Sequence, residues 1–380
     1  MSKKIVLALA TPPVLFNQAL NPFYLLFFSL SKFRSFDKIS KVFWVISIFT
    51  IFSFSTQFIL NLSNPVFSQQ GHFFSLIAFF VPLLVLIFKI ELSVEDILNS
   101  IFYGCLIYAT AFSVTLFFIQ QPPLSCVGCV KTIDFIGFPQ RFTPLIILGS
   151  AIAVMNFVRS QSLFYLLAFA LLLVPIFFSY TRSIWIQFSM TLIFLGLYAF
   201  YYLPLRKKLF FFMLILLLAT IFSFILFLYT ESLYVVLIKE LFFSIIDAMN
   251  TFFSNTSDTI YIHSGSEAGR IYFWGLGMNI FMYYPILGTG LAGLYQFGYP
   301  EYGSIHSQWI DQLMRTGLFG LLIYIYFYIE ICIQYLKKYP EVTSWIIGLG
   351  IFGFFNESTK IISIAMIFFV LLNKAIYREV

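Results

Sequence analysis

The sequence predicts an all-α polytopic membrane protein with about twelve transmembrane helices and a large periplasmic loop carrying amphipathic helices. Three observations lead there. Apolar residues make up 61% of the 380-residue chain and charged residues only 10%, against about 25% charged in ordinary soluble domains. The mean hydropathy is +0.94. Apolar runs of about 17–24 residues alternate with short polar joints, the spacing that a hydrocarbon core demands of helices. A transmembrane barrel would instead show alternating strands of about ten residues, and these runs are solidly apolar. Lipid offers the backbone no hydrogen-bond partners, so each span must satisfy its own amides as a helix.

Taken in order, the first thirty residues hold an apolar run interrupted by Pro12, Pro13 and Pro22, either one kinked span or two short ones. It has no small-residue cleavage site and leads straight into further spans, so no cleavable signal peptide is expected. Candidate spans follow at 42–60, 72–90, 97–120, 143–158, 163–179, 184–203, 209–229, 314–336, 342–356 and 360–376. Basic residues orient them. Lys32, Arg34, Lys38, Lys41, Lys89, Arg159, Arg206, Lys207, Lys208, Lys337, Lys338, Lys374 and Arg378 fall on one side, joined by Lys3 and Lys4. Lys131, Arg141, Arg182, Lys239, Arg270, Arg315 and Lys360 fall on the other. The first side is expected to be cytoplasmic, and an N-terminus there requires an even number of spans, which favours twelve over eleven. The chain then divides into N-terminal transmembrane helices at 1–229, a large periplasmic segment with catalytic elements at 230–306, and C-terminal transmembrane helices at 307–380. The middle segment is far longer than a typical connection. Its amphipathic stretches Ser232–Asn250 and Glu267–Tyr284 suggest helices lying on the outer leaflet. No internal repeat points to a transporter built from duplicated halves.

The span interiors are almost free of ionisable groups. Glu330 is the exception, and it lies close enough to Lys337 and Lys338 to snorkel. Ion-coupled transporters need titratable groups near mid-membrane, so chemistry is expected at the outer surface. Four arginines, Arg141, Arg182, Arg270 and Arg315, stand at outer span ends against the usual charge bias. Their planar donor forks suit phosphate oxygens, as in a pyrophosphate at headgroup depth; the plainer reading is that each anchors a span end or pairs with a carboxylate. The net charge of +6 is explained by loop residues that set topology and implies no nucleic-acid partner.

His306 precedes the re-entry of the external segment into the membrane, where an imidazole can accept a hydroxyl proton near neutral pH or serve merely as interfacial packing. Asp311 and Arg315 form an i,i+4 pair one turn below, which is open to a purely structural reading. Pro285, Gly288 and Gly290 mark a tight turn. Gly288 to Gly293 matches G-x-G-x-x-G literally, but no strand precedes it, so a dinucleotide site is rejected. Cys126 and Cys129 form C-x-x-C on an outer loop, either a small disulfide or a reduced pair. Too few ligands surround them for a metal. Cys105 and Cys332 read as small apolar span residues. Asn61, Asn255 and Asn356 each open an N-x-S/T triplet of little weight.

Together these residues resemble a family. Pro285-x-Leu287-Gly288-x-Gly290, then His306, then Leu313-x-x-x-Gly317-x-x-Gly320 is similar to the signature block of the bacterial O-antigen ligase/polymerase superfamily. Arg270 with Trp274 resembles its approach to the Pro-Gly turn, and Thr181-Arg182-Ser183 its Ser-Arg joint. The chain departs from the family pattern in having Ser307 after His306 and Arg315-Thr316 where an acidic residue is common. The resemblance implies an inner-membrane glycosyltransferase working at the periplasmic face. It would move a glycan from an undecaprenyl-pyrophosphate carrier to an acceptor hydroxyl, on lipid A-core in a ligase or on a lipid-linked repeat unit in a polymerase. It implies inversion at the sugar, no cofactor and no metal. Arg182 and Arg270 would steady the leaving pyrophosphate, with Arg141 and Arg315 as further candidates, and His306 would orient or deprotonate the acceptor. An outer loop Asn61–Gly71 free of Asp and Glu agrees with metal independence. A lipid or polysaccharide exporter is the alternative of another class, and it would need a polar path through the spans.

Overall fold

The computed structural model describes residues 4–5, 32–35, 39–41, 43–45, 47–48, 84–115, 139–179, 182–209, 211–212, 267–289, 305, 307–356 and 362–380. At 139–142, 182, 267–272 and 362–363 it describes the backbone alone. Among these residues the chain is a helical bundle. Its helices are α1 (Val94–Val114), α2 (Pro139–Ser160), α3 (Leu163–Phe177), α4 (Arg182–Tyr202), α5 (Glu267–Tyr283), α6 (Gln308–Tyr335), α7 (Pro340–Phe355) and α8 (Ile362–Ile376). Four of them, α1, α2, α4 and α6, contain stretches long and apolar enough to cross a membrane, while α3, α7 and α8 are apolar but shorter. Most of the expected spans 42–60, 72–90 and 209–229, the Cys126–Cys129 loop and most of the 230–306 segment lie outside the described residues.

Local chemistry sets several boundaries. Ser93 caps α1 by accepting a hydrogen bond from the Asp96 amide at 3.1 Å, and Glu95 and Asp96 complement the positive helix start. Pro340 occupies the first turn of α7, where its missing N–H costs nothing. Helix α2 is central: every residue from Thr143 to Met155 is buried, and it packs against α1, α3, α4, α7 and α8. A helix apolar on all sides belongs at the middle of a bundle. Close helix approach relies on glycine, as in other membrane bundles. Gly149 leaves room for Cys105 of α1, and Gly348 of α7 meets Thr191 and Gln187 of α4.

One stretch departs from the expected helix. Residues at the end of the 72–90 span form a 3₁₀ turn, Leu84–Ile87, and then a two-residue strand, Phe88–Lys89 (β2), antiparallel to Lys32–Phe33 (β1). The carbonyls of this stretch are taken up by distant groups, Tyr377 on Leu86 and Arg34 on Ile87 and Phe88 among them. Asn373 of α8 donates to the Val85 and Phe88 carbonyls at 2.8 and 3.0 Å, drawing them out of a helical ladder.

Joints grouped by their basic residues gather at one end of the bundle. Lys374 donates to the Ile90 carbonyl at 2.6 Å and to Glu379 at 2.9 Å, while Arg34 pairs with Glu379 at 2.9 Å and lies over the Tyr377 ring. Burial raises the Glu379 pKa, but hydrogen bonds from Lys374 and Arg34 outweigh it and hold the carboxyl below its usual value. Between α2 and α7, Arg159 grips both oxygens of the buried Glu341 at 3.0 Å and also donates to the Lys338 carbonyl.

Removing one member of a buried pair strands the other charge, at a cost of about 3–5 kcal/mol. Arg159 is 40% exposed, so water screens part of that cost and Arg159→Ala is expected to destabilise by about 2 kcal/mol. In thermal unfolding of the detergent-solubilised chain, Arg159→Ala should lower the midpoint and Arg159→Ala with Glu341→Gln should recover most of the loss. Equal midpoints for the single and double variants would contradict this reading.

Candidate active site

Helix α6 is broken. At Gly317 the backbone turns to φ 64° and ψ −167°, so 308–316 and 318–335 are two half-helices joined at one residue. A break in an apolar bundle frees amides at the start of one half and carbonyls at the end of the other, and these need partners. The turn after α5 supplies them. Pro285 ends the helical run, the Gly288 amide returns to the Tyr284 carbonyl at 3.0 Å, and Gly288 takes φ +69°. The Pro285 carbonyl then accepts the Leu318 amide at 2.9 Å, and the Ile286 carbonyl accepts the Phe319 amide at 3.3 Å. On the other half, the Met314 carbonyl accepts both the amide and the hydroxyl of Thr289, at 2.9 and 3.2 Å.

The two left-handed glycines lie against one another's segments. A Cβ at Gly288 would strike the Arg315 and Gly317 backbone, and one at Gly317 would strike Ile286 and Gly288. Thus the Pro-Gly turn and the Gly-x-x-Gly block, about thirty residues apart in the chain, are two halves of one joint.

The 308–316 half-helix, with its cap Ser307, is unusually polar for a buried element. Ser307, Gln308, Asp311, Gln312, Arg315 and Thr316 are all buried. Arg315 Nε donates to Asp311 Oδ2 at 2.7 Å, with only 7% and 3% of the side chains exposed. Thr316 donates its hydroxyl to the Gln312 carbonyl at 2.7 Å and accepts from the Gln312 amide at 3.2 Å. On its apolar side the half-helix carries Met314, which clusters with Ile305 and with Phe273 and Ile280 of α5.

Its first turn is tied to the end of α7. The Gln308 amide donates to the Asn356 carbonyl at 3.2 Å, and Trp309 Nε1 donates to the Gly350 carbonyl at 2.7 Å. The Asn356 side-chain amide in turn donates to Ser183 Oγ, in the first turn of α4. Trp274 of α5 packs against Phe355, ring centroids 6.5 Å apart. The starts of α4 and α6 and the end of α7 therefore meet in one place, with α5 alongside.

The expected site residues fall as follows. Arg182 opens α4, directly before Ser183; Arg270 lies in the first turn of α5, four residues before Trp274; Arg141 is the third residue of α2. For these three the backbone position is described. Pro285 and Gly288 form the turn, and Arg315 lies on the opposite side of the break, paired with Asp311. His306 and Gly290 lie outside the described residues, although Ile305 and Ser307 frame the former. Asn356 was set aside in the sequence as a triplet of little weight. Its signal was position: a polar residue just beyond a span, on the side expected to carry the chemistry. Among the described residues no group of three or more His, Cys, Asp or Glu is arranged to hold a metal.

Residues 167–325 match the family model of O-antigen ligases. Over that segment the chain is O-antigen ligase-like. The match takes in α4, α5, the Pro-Gly turn and the broken part of α6, and it ends before α7 and Asn356. No curated protein matches the chain.

The glycine joint makes a sharp contrast testable. Gly317→Ala or Gly288→Ala imposes about 1–2 kcal/mol of left-handed strain plus a backbone clash, and should greatly reduce folded protein in the membrane. Gly275→Ala, in α5 with nothing near its Cβ position, should be neutral or stabilise by up to about 1 kcal/mol. Comparing size-exclusion recovery and unfolding midpoint for the three variants checks it; similar behaviour of all three would refute the joint.

Proposed function

We propose that the chain transfers a glycan from undecaprenyl pyrophosphate to an acceptor hydroxyl at the periplasmic face of the inner membrane, joining O-antigen to lipid A-core. The observation that most supports this reading is the meeting of three chain segments at one place. The first turn of α4 carries Arg182, the start of α6 follows His306, and Asn356 bonds to both. These elements up to residue 325 lie in the O-antigen ligase-like segment.

In this reaction the acceptor oxygen attacks the anomeric carbon from the face opposite the pyrophosphate. The carbon–oxygen bond to the carrier breaks as the new glycosidic bond forms, and configuration inverts. The acceptor proton passes to His306, and the lipid pyrophosphate departs with both electrons of the broken bond. Negative charge grows on that leaving group, so fixed cations at its oxygens lower the barrier most where water is excluded. Arg182 and Arg270 take that role. Arg141 and Arg315 are further candidates, Arg315 with its charge already balanced by Asp311. No cofactor or metal is required, because the sugar–pyrophosphate bond supplies the driving force.

His306→Ala and Arg270→Ala should each reduce transfer at least about a hundredfold while leaving membrane abundance unchanged, in line with loss of an acid–base group or of a charge donor. Arg182→Lys should lose at least about tenfold, since an ammonium cannot make the forked contact. Surface glycan at normal levels in all three variants would remove the site assignment.

Deleting the gene and resolving the surface glycolipid on a gel tests the reaction itself. Unmodified lipid A-core with long chains held on the carrier is the expected outcome. Lipid A-core bearing a single repeat unit would make the chain a polymerase, and an unchanged pattern would overturn the glycosyl-transfer reading.

A further inference from the structure

We propose that Asn356 is a positioning residue for glycan transfer, holding the first turn of α4 in register with the start of α6 through its bond to Ser183; this rests on the reaction proposed above. Asn356 is the residue after α7, and each of its three polar groups has a distinct partner. Its backbone amide donates to the Phe352 carbonyl at 3.0 Å and closes α7, in extended geometry of φ −151° and ψ 165°. Its carbonyl accepts the Gln308 amide at 3.2 Å. Its side-chain amide reaches across to Ser183 Oγ.

The last two bonds differ in kind. The start of α6 is held to α7 redundantly, by the Asn356 carbonyl, by Trp309 on the Gly350 carbonyl at 2.7 Å, and by Ser307 Oγ on the Gly353 carbonyl at 3.5 Å. Gly353 makes this possible, since a Cβ there would meet Trp309 Nε1 at 3.1 Å and Gln308 Cβ at 3.2 Å. Helix α4 is attached differently. Its body packs along α7 through the close approach at Gly348. In the first turn of α4, Trp185 Nε1 donates to the Ile176 carbonyl of α3 at 3.1 Å, and the described side-chain bond toward α7 and the start of α6 is the one from Asn356 to Ser183.

That bond therefore spans two elements with different chemical duties. Arg182 is one residue from Ser183. His306 is one residue before Ser307 and two before Gln308. A cation that must meet a leaving pyrophosphate and a base that must meet the acceptor have to stay at a fixed separation, and an error of about 1 Å costs about a hundredfold in rate. Replacing Asn356 with Ala keeps the backbone bonds to Phe352 and Gln308 and removes the link to α4 alone. Since the helix bodies remain packed, the loss should appear in the transition state more than in substrate binding.

The test uses the full-length chain purified in detergent, undecaprenyl-pyrophosphate-linked glycan as donor, and lipid A-core as acceptor. Asn356→Ala and Ser183→Ala should each lower kcat by about tenfold to a hundredfold, with KM for the donor within about threefold of the unaltered chain. The double variant should be no slower than the slower single one, because both remove the same bond. Ser183→Thr, which keeps the hydroxyl, should recover most of the activity that Ser183→Ala loses. Multiplicative losses in the double variant would show two independent roles and overturn the proposal. So would activity falling only in step with the folded fraction, or Asn356→Ala working at full rate. Absence of transfer by the unaltered chain with either lipid A-core or a lipid-linked repeat unit would instead remove the reaction reading, and this inference with it.

Discussion

The break at Gly317 is the constraint on which this end of the bundle depends. A continuous α6 would satisfy its own amides and leave the turn after α5 with nothing to do. Once the backbone leaves the helical region at one residue, the Leu318 and Phe319 amides and the Met314 carbonyl must be met from elsewhere, because an apolar surround supplies no water to do it. The 285–289 turn meets all three. Two glycines with positive φ then become obligatory at once, since each one's missing Cβ is the space that the other's segment occupies. This joint fixes where α5 ends, how the 307–316 half-helix is held, and therefore where the flanks of His306 lie.

The two ends of the bundle solve the problem of polar groups differently. At the basic end, charges are paired off: Arg159 with Glu341, and Arg34 and Lys374 with Glu379. Their effect is to clamp neighbouring helices, while the remaining lysines and arginines of this end leave it strongly basic. At the other end the described polar contacts are mostly neutral, running through serine, threonine, asparagine and backbone groups. The buried Asp311–Arg315 pair is the charged exception. Neutral hydrogen bonds orient chain segments without cancelling a charge, whereas ion pairs do both. An anion-binding function on Arg182 and Arg270 is compatible with the first kind of framework and would be weakened by the second.

Much of the fold was legible because the spans obey a single rule. The seven described apolar helices lie close to the runs read from hydropathy, and α5 (Glu267–Tyr283) falls on the stretch Glu267–Tyr284 picked out in the sequence. What failed to show in the sequence were contacts set by tertiary neighbours. Residues 84–88 are as apolar as any span, and their 3₁₀ and extended geometry goes with carbonyls taken up by distant groups: the Asn373 amide, the Tyr377 hydroxyl and Arg34. The Pro-Gly turn and the Gly-x-x-Gly block were both visible as motifs, but their mutual docking was not. A glycine's need for positive φ leaves no trace beyond its being glycine. Asn356 was discounted because a triplet pattern carries no information about which helix ends meet. Of the arginines, Arg315 makes the i,i+4 pair with Asp311 that the sequence spacing suggests.

That last case sharpens how charge is distributed over the proposed site. A guanidinium held by a carboxylate at 2.7 Å in a buried setting presents little net field to a ligand. Asp311 takes the Nε donor and offsets the charge, so a pyrophosphate reaching the remaining guanidinium donors would meet a cation already neutralised by its neighbour. The pair is better suited to stiffening the half-helix that leads from His306 to the Gly317 break. In the proposed reaction the cations would then come from Arg182 and Arg270, one at the start of α4 and the other in the first turn of α5. Approaching the leaving group from two separate elements makes transition-state stabilisation sensitive to how those elements are held. In this fold α5 is held by the glycine joint and the first turn of α4 by Asn356 and by Trp185 on the Ile176 carbonyl, so the geometry of the proposed site would depend on contacts that themselves carry no charge.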